Sequence, residues 1–140
     1  MAVCLDTSIV TPLFLTDPFN ARAHSFLTSG PVDMVVSDFV AAEFASVVGV
    51  RVRAKALTRA EGRKAFSNFD RWLSAKAVEA SIQPSDVRVA MAVLRRLDLV
   101  LRAPDALILA VTDRLNASLA TFDARMAESA RKLGISVVPV

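Results

Sequence analysis

The chain has 140 residues, of which 54% are hydrophobic and 22% are charged, and its net charge is +3. This length suits one domain with a sizeable core, and the composition excludes a disordered chain. One cysteine and one histidine exclude a disulfide framework and a metal site rich in those residues, so we expect any catalysis to depend on carboxylates.

The apolar stretches of the chain are too short or too interrupted to cross a membrane. The longest, Met34–Val50, contains Asp38 and Glu43, and no run approaches the ~20 residues that a bilayer requires. Met1–Asp6 has no basic leader followed by an apolar run, so no signal peptide is evident and we predict a cytoplasmic protein. Without repeats or a proline-rich linker, residues 1–140 are predicted to form a single domain.

The first half of the chain shows two apolar strand patterns and three helical ones. Thr58 followed by Glu61 is a capping box, which marks a helix start. The predicted elements are a strand over Ala2–Leu5, a helix from Asp17 through Leu27 ended by Ser29-Gly30-Pro31, a strand over Met34–Val36, a helix entered at Ser37-Asp38 with apolar residues at helical spacing, and a helix from Arg59 to about Ser74.

The second half continues the alternation of strands and helices. Pro104 suits a helix start because its missing N–H costs nothing there, and Gly134 suits a helix end. The predicted elements are a strand over Val78–Ile82, helices from Pro84 to about Leu97 and from Pro104 to about Leu115, a strand over Ser118–Thr121, a helix over Asp123–Leu133, and a final strand over Ile135–Val138. This alternation predicts an α/β fold whose parallel sheet is covered by helices and binds ligands at the carboxyl ends of its strands.

A basic stretch runs from Arg51 to Lys64 and contains six basic residues against the single acidic Glu61. Such a stretch is either a solvated helical face or a surface that binds phosphates. The candidate residues within it for contacts with nucleic-acid phosphates are Arg51, Arg53, Arg59 and Arg63.

Three aspartates stand at the starts of predicted helices. Asp6 and Asp123 each follow a predicted strand, and Asp105 lies in the first turn of a helix that is apolar nearly all round. Each position has an ordinary structural explanation as a helix cap or as a charge that complements the helix dipole. Asp6 and Asp123 also stand where a doubly wound sheet places its active site, and Asp105 at the start of a buried helix needs a partner.

Glu43 lies on the apolar stripe of its helix, between Val40 and Val47. An ionised glutamate there is costly unless a cation or several donors meet it. It could form a buried ion pair, but the helix from Phe39 to Val50 contains no basic residue, so we favour a ligand role.

Carboxylates without nearby histidine or cysteine would form a hard, oxygen-rich pocket. Mg²⁺ matches such a pocket, and Mn²⁺ is possible, because both prefer carboxylate, water and phosphate oxygens. Without a metal ion the same pocket would repel a phosphodiester.

Four segments together resemble the PIN domain and, more narrowly, the VapC toxins of bacterial toxin–antitoxin pairs. The aspartate-threonine-serine motif alone is common, whereas the last two motifs, in this order, are more specific. The resemblance covers essentially the whole chain. The segments are Asp6-Thr7-Ser8 after the first strand, Glu43 on an early helix, Pro104 to Ala110, and Ala120-Thr121-Phe122-Asp123 before a helix.

The resemblance implies a three-layer α/β/α sandwich with a short, mostly parallel sheet, and an acidic pocket that binds Mg²⁺ or Mn²⁺ and hydrolyses RNA phosphodiesters endonucleolytically. It also implies a homodimer and a VapB-like antitoxin that wraps roughly Asp38 to Ser74. By position, the catalytic and metal-binding acids would be Asp6, Glu43, Asp105 and Asp123, supported by hydroxyls of Thr7 or Ser8 and of Thr121.

Other classes of protein also place aspartates at strand ends. Receiver domains need an acidic pair on the first strand, but Leu5 precedes Asp6, and Lys132 precedes the last predicted strand instead of ending it. Phosphatases of the haloacid dehalogenase type need a second aspartate where Ser8 stands. A PIN-like module that binds RNA or protein without cutting stays open as an alternative.

Overall fold

The structure is a computed structural model that describes residues 1–30 and 33–140. Within those residues, a four-stranded parallel sheet and seven helices form a three-layer α/β/α sandwich, which confirms the predicted fold class. Pro31, part of the predicted helix end, lies outside the described residues. None of the helices described is long and apolar enough to cross a membrane.

The sheet is built from β1 (Val3–Leu5), β2 (Met34–Ser37), β3 (Ala77–Ala80) and β4 (Ser118–Ala120). All pairings are parallel and the strand order is β3-β2-β1-β4. The chain therefore moves outward from β1 to β3 and then returns to the other side of β1. Strand order reverses between β1 and β4, and open parallel sheets bind ligands in the crevice at such a point.

The predicted final strand over Ile135–Val138 is wrong in extent. In the part of the chain that the structure describes, this segment makes one parallel bridge, between Leu119 and Val137. Pairing is limited because β4 ends at Ala120 and the chain soon enters the helix that Asp123 caps, so no longer strand is there to pair with.

One helix, α1 (Thr7–Phe14), was not predicted. Its β-branched residues and internal Pro12 are unfavourable in a helix by local preference. The helix forms because Asp6 caps it and because Ile9 and Val10 are fully buried in the core.

The other six helices confirm predicted ones, with shifted ends. The Asp17 carboxylate accepts a hydrogen bond from Phe19 N at 2.9 Å in a turn, so the first predicted helix begins three residues later than expected. The helices are α2 (Asn20–Ser29), α3 (Asp38–Arg53), α4 (Arg59–Lys76), α5 (Pro84–Leu94), α6 (Ala103–Arg114) and α7 (Ala124–Lys132).

An aromatic cluster packs α1, α3 and α4 together. Phe44 of α3 is fully buried, and its ring centroid lies 5.7 Å from that of Phe14 and 4.9 Å from that of Phe69. Phe66 and Trp72 complete the cluster from α4. The residue before Phe44 is Glu43, so the candidate ligand stands next to this cluster in α3.

Outside this cluster, the fold holds a buried thiol and an ion pair whose carboxylate is buried. Cys4 is buried, and burial raises the pKa of its thiol, which keeps it protonated. Arg114 of α6 donates to both oxygens of Asp86 on α5, at 2.8 and 3.0 Å. Burial raises the pKa of Asp86, but the hydrogen bonds from Arg114 and from Gln83 N outweigh it and lower the pKa overall.

Candidate active site

Asp6 and Asp123 meet at the reversal of strand order, through one shared hydroxyl. Asp6 follows β1 directly, and its carboxylate Oδ2 accepts a hydrogen bond of 2.8 Å from Thr121 Oγ1, just beyond β4. The same Thr121 Oγ1 accepts a hydrogen bond of 3.0 Å from Asp123 N. Thr121 therefore orients both aspartates.

Ser8 binds the same oxygen of the Asp6 carboxylate as Thr121 does. Its Oγ donates to Asp6 Oδ2 at 2.7 Å and accepts from Phe122 N at 2.9 Å. Burial raises the pKa of Asp6, and the hydrogen bonds from Ser8 and Thr121 oppose that effect only in part. Asp6 is thus a buried, rigidly held carboxylate that resists ionisation.

Glu43 projects from α3 towards the same place. It is half-buried, and Thr7 Oγ1 donates a hydrogen bond to its Oε2. Burial is the main reason that the pKa of Glu43 is raised, and the negative charges of Asp6 and Asp105 raise it further. Among the described residues Glu43 belongs to no ion pair, so the alternative of a buried ion pair is not realised.

Asp105 and Asp123 line a shared open cleft of about 590 Å³. Asp105 Oδ2 accepts from Arg102 N at 3.1 Å, and Asp123 Oδ1 accepts from Arg125 N at 2.9 Å and from Met126 N at 3.1 Å. Both aspartates therefore cap their helices. Capping engages one oxygen of each carboxylate and does not exclude a second role for the other.

Two arginines in the cleft were missed by the sequence analysis. Arg102 and Arg125 line it beside Asp105 and Asp123, and the charge of Arg102 opposes the raised pKa of Glu43. The sequence signal that could have identified them is that each lies at the same helix start as one of the two aspartates. The cleft consequently combines acidic and basic groups, as a site for a metal ion and a phosphate chain would.

The donor set fits a hard divalent cation that keeps several of its waters. The hydrogen bonds described above fall on one oxygen of each of the four carboxylates, which leaves the opposite oxygen of each for other ligands. Among residues 1–30 and 33–140, no three histidine, cysteine, aspartate or glutamate side chains are arranged to hold a metal ion by themselves. Mg²⁺ commonly uses only one or two carboxylates, with water filling the remaining positions.

The basic stretch lies apart from these acids. Arg53 is ten residues beyond Glu43 on α3, about 15 Å along a helix that rises 1.5 Å per residue. Arg53, Arg59 and Arg63 border a groove of about 290 Å³ between α3 and α4. Arg51 instead pairs with Asp17 at 3.6 Å and donates to Thr16 O at 2.8 Å, so its charge is already engaged.

Thr121→Val should weaken divalent-cation binding without unfolding the protein. Valine keeps the shape of threonine but removes the donor to Asp6 and the acceptor for Asp123 N. Loss of such an orienting group typically costs ~10–100-fold in metal affinity. Calorimetric titration with Mn²⁺ measures the effect, and Thr121→Ser, which keeps the hydroxyl, is the matched control. Unchanged affinity in Thr121→Val would show that the hydroxyl does not position the site.

A family model described as the PIN domain matches residues 3–132. That match spans both strand ends at the cleft and all four acids. No curated protein sequence matches the chain.

Solved structures share the fold at low sequence identity. VapC20 of Mycobacterium tuberculosis, described as a Sarcin-Ricin loop cleaving toxin, is 20% identical with a TM-score of 0.73, over 91% of this chain and 94% of that one. FitAcB of Neisseria gonorrhoeae is 18% identical with a TM-score of 0.69, over 98% and 96%. VapBC2 of Rickettsia felis, solved with a DNA fragment from its promoter, is 16% identical with a TM-score of 0.69, over 99% and 98%.

Proposed function

Since this chain belongs to the PIN domain family, we propose that it is a metal-dependent endoribonuclease that acts as the toxin of a toxin–antitoxin pair. The observation that supports the proposal is that the four acids are linked pair by pair: Thr121 bridges the Asp6 carboxylate and Asp123 N, the charges of Asp6 and Asp105 act on Glu43, and Asp105 and Asp123 line one cleft. Nucleases of this family generally use divalent metal ions, and the oxygen-only donor set favours Mg²⁺, with Mn²⁺ as the alternative.

Each group in the cleft has a distinct task in this proposal. Asp6, Glu43 and Asp105 would hold the cation directly or through water, and Asp123 would complete the pocket. A bound cation would lower the pKa of a water and neutralise charge on the scissile phosphate. Ser8 and Thr121 hold Asp6, and Thr7 holds Glu43, so that these carboxylates meet their ligand already oriented.

Arg102 and Arg125 would supply the positive charges that bind RNA phosphates at the cleft. They line it beside Asp105 and Asp123. We assign them to the phosphates on either side of the cut, a role that the sequence analysis gave to the basic stretch. A weaker dependence of RNA binding on salt concentration in Arg125→Gln would support this contact, because each phosphate contact that is lost lowers the salt slope by about 1.

Glu43→Gln should weaken Mn²⁺ binding at least about tenfold in calorimetry, because the amide keeps the shape but loses the charge. Without metal, the same variant should melt at a higher temperature than wild type near neutral pH. The raised pKa of Glu43 means that ionising this group costs folding free energy.

The difference in melting temperature between Glu43→Gln and the metal-free wild type should change with pH in a defined direction. The favourable contribution of protonated Glu43 is complete below the ordinary pKa of glutamate and is lost as pH rises through the raised value. The metal-free wild type should therefore approach Glu43→Gln in stability as pH falls through that window. A gap in melting temperature that does not depend on pH would contradict a raised pKa of this carboxylate.

A PIN-like module without nuclease activity is the alternative. The observation in its favour is that, in the described residues, no three acidic side chains are arranged to hold a metal ion as they stand. The same calorimetry decides between them: absence of divalent-cation binding by the wild-type chain would favour the inert module.

A VapB-like antitoxin is the proposed protein partner, and the groove between α3 and α4 suits it. Val48, Val52 and Phe66 supply apolar contacts, and Arg53 and Arg63 border them. A segment with apolar anchors and acidic flanks would match this surface. A small open reading frame immediately upstream that overlaps this one would support the pairing, and co-purification of its product would test it.

A homodimer is the proposed assembly. Val87 and Met91 on α5 are half exposed, and α5 and α6 border an almost wholly apolar groove of about 250 Å³. An apolar helix face of this kind is typical of an interface. Light scattering of wild type and Met91→Glu would measure the oligomeric state directly, and a monomeric wild type would contradict the proposal.

A further inference from the structure

Two phenylalanines and an arginine form a stack beside the acidic cleft. The rings of Phe19 and Phe122 lie nearly parallel, with centroids 4.7 Å apart and an interplanar angle of 13°. The Arg22 guanidinium lies 4.8 Å from the centroid of Phe122 and 5.5 Å from that of Phe19. We call Phe19, Arg22 and Phe122 the aromatic platform.

The platform is attached to the candidate active site through Phe122. This residue stands between Thr121 and Asp123 in the chain, and its N–H donates to Ser8 Oγ, which in turn donates to Asp6 Oδ2. One hydroxyl therefore separates the backbone of Phe122 from the buried carboxylate. The platform is therefore joined to the acidic site through the backbone of Phe122.

Phe19 keeps part of its surface exposed. The residue is 37% exposed although one ring face lies on Phe122, so the face away from Phe122 is the one that a ligand could cover. Arg22 is closer to the centroid of Phe122 than to that of Phe19, so it lies beside the pair and does not cover the outer face of Phe19.

Arg22 is exposed and presents positive charge at this place. It donates to Val140 O at 2.8 Å, and no aspartate or glutamate side chain of the described part of the chain pairs with it. An exposed aromatic ring beside an exposed arginine is a combination that can bind a base and its phosphate.

We propose that the aromatic platform stacks an unpaired RNA base adjacent to the cut, with Arg22 on the neighbouring phosphate. The proposal rests on the proposed ribonuclease function. A base in a duplex has both faces covered, so only an unpaired nucleotide can use the outer face of Phe19. The contact would select for an unstacked nucleotide and tolerate different bases, because every base has a π face.

The test measures the affinities of wild type and Phe19→Ala for two probes, by fluorescence anisotropy in the presence of Ca²⁺. The probes are a labelled single-stranded oligouridine and an abasic ribose-phosphate chain of the same length and charge. Wild type should bind the oligouridine more tightly than the abasic chain. Phe19→Ala should reduce this ratio of affinities about 5- to 100-fold and should bind the abasic chain as wild type does. Arg22→Gln should instead weaken both probes equally.

Further variants separate stacking from folding. Phe19→Leu keeps apolar packing without a π face and should behave like Phe19→Ala, whereas Phe19→Trp should restore the preference. Val78→Ala and Arg131→Gln, exposed positions away from the platform, are the matched controls. A loss in Phe19→Ala that is equal for both probes, with Phe19→Leu like wild type, would overturn the platform as a base-binding surface.

The outcome for the platform is distinguishable from that for the nuclease. If wild type cleaves RNA but its preference for the oligouridine does not depend on Phe19, the platform is overturned and the proposed nuclease function is retained. Coupling without metal-dependent cleavage would support the platform and overturn the function. Absence of binding to either probe would overturn both.

Discussion

Asp6→Asn is expected to reduce metal-dependent RNA cleavage by about 10³-fold or more, because a catalytic cation contributes several kcal/mol of charge stabilisation. The substitution removes one negative charge and keeps an oxygen that can accept the hydrogen bonds from Ser8 and Thr121. The fold should survive. Burial raises the pKa of Asp6, so replacing the carboxylate with a neutral amide relieves a cost of folding.

The measurement is the initial rate of cleavage of a labelled RNA over a range of Mg²⁺ concentrations, with circular dichroism as the check on folding. Asp113→Asn is the matched control, since this exposed aspartate lies near the far end of α6, the helix that carries Asp105 in its first turn. It should cleave like wild type. Wild-type cleavage by Asp6→Asn would sink the assignment of the active site.

Phe44→Ala is expected to destabilise the protein by ~3–5 kcal/mol, the usual cost of removing a fully buried aromatic ring. The ring is completely buried and contacts Phe14, Phe66 and Phe69 across three helices. Because typical domains are stable by only ~5–15 kcal/mol, this is a large fraction of the total. The melting temperature should fall by roughly 10–15 °C.

Urea denaturation followed by circular dichroism gives the free energy of unfolding. Phe44→Leu keeps an apolar side chain and should lose much less, and Val78→Ala, at an exposed position, should lose almost nothing. Well below its transition, Phe44→Ala should still bind Mn²⁺, since no atom of the acidic cleft is removed. A loss of cation binding in fully folded protein would show that the cluster also sets the position of Glu43.

Capping and a ligand role turn out to be compatible for the three aspartates. The sequence analysis treated these as competing explanations, and the structure shows that Asp6, Asp105 and Asp123 all accept backbone hydrogen bonds at helix starts. In a parallel sheet, helices begin where strands end, so the residue that caps a helix also stands at the edge where ligands bind. Local sequence cannot separate the two roles because the same geometry produces both.

Glu43 was identified from a different sequence signal than the three aspartates. Its place on an apolar stripe, with no basic residue on its helix, predicted from sequence alone that something outside the helix must meet it. The partner in the structure is the hydroxyl of Thr7, with Asp6 and Asp105 close enough for their charges to raise its pKa. The sequence could identify the unfavourable position, but not the neighbours that surround it.

Periodicity and capping positions predicted the alternation of strands and helices, the parallel sheet and the candidate acids, because these signals lie in short segments of the sequence. Three features follow only from the tertiary fold: α1 is a helix despite Pro12, the hydroxyl of Thr121 joins the ends of β1 and β4, and Phe19 lies on Phe122. Each depends on contacts between residues far apart in the chain. Burial and packing at those contacts outweigh local preference, and neither can be computed from one segment at a time.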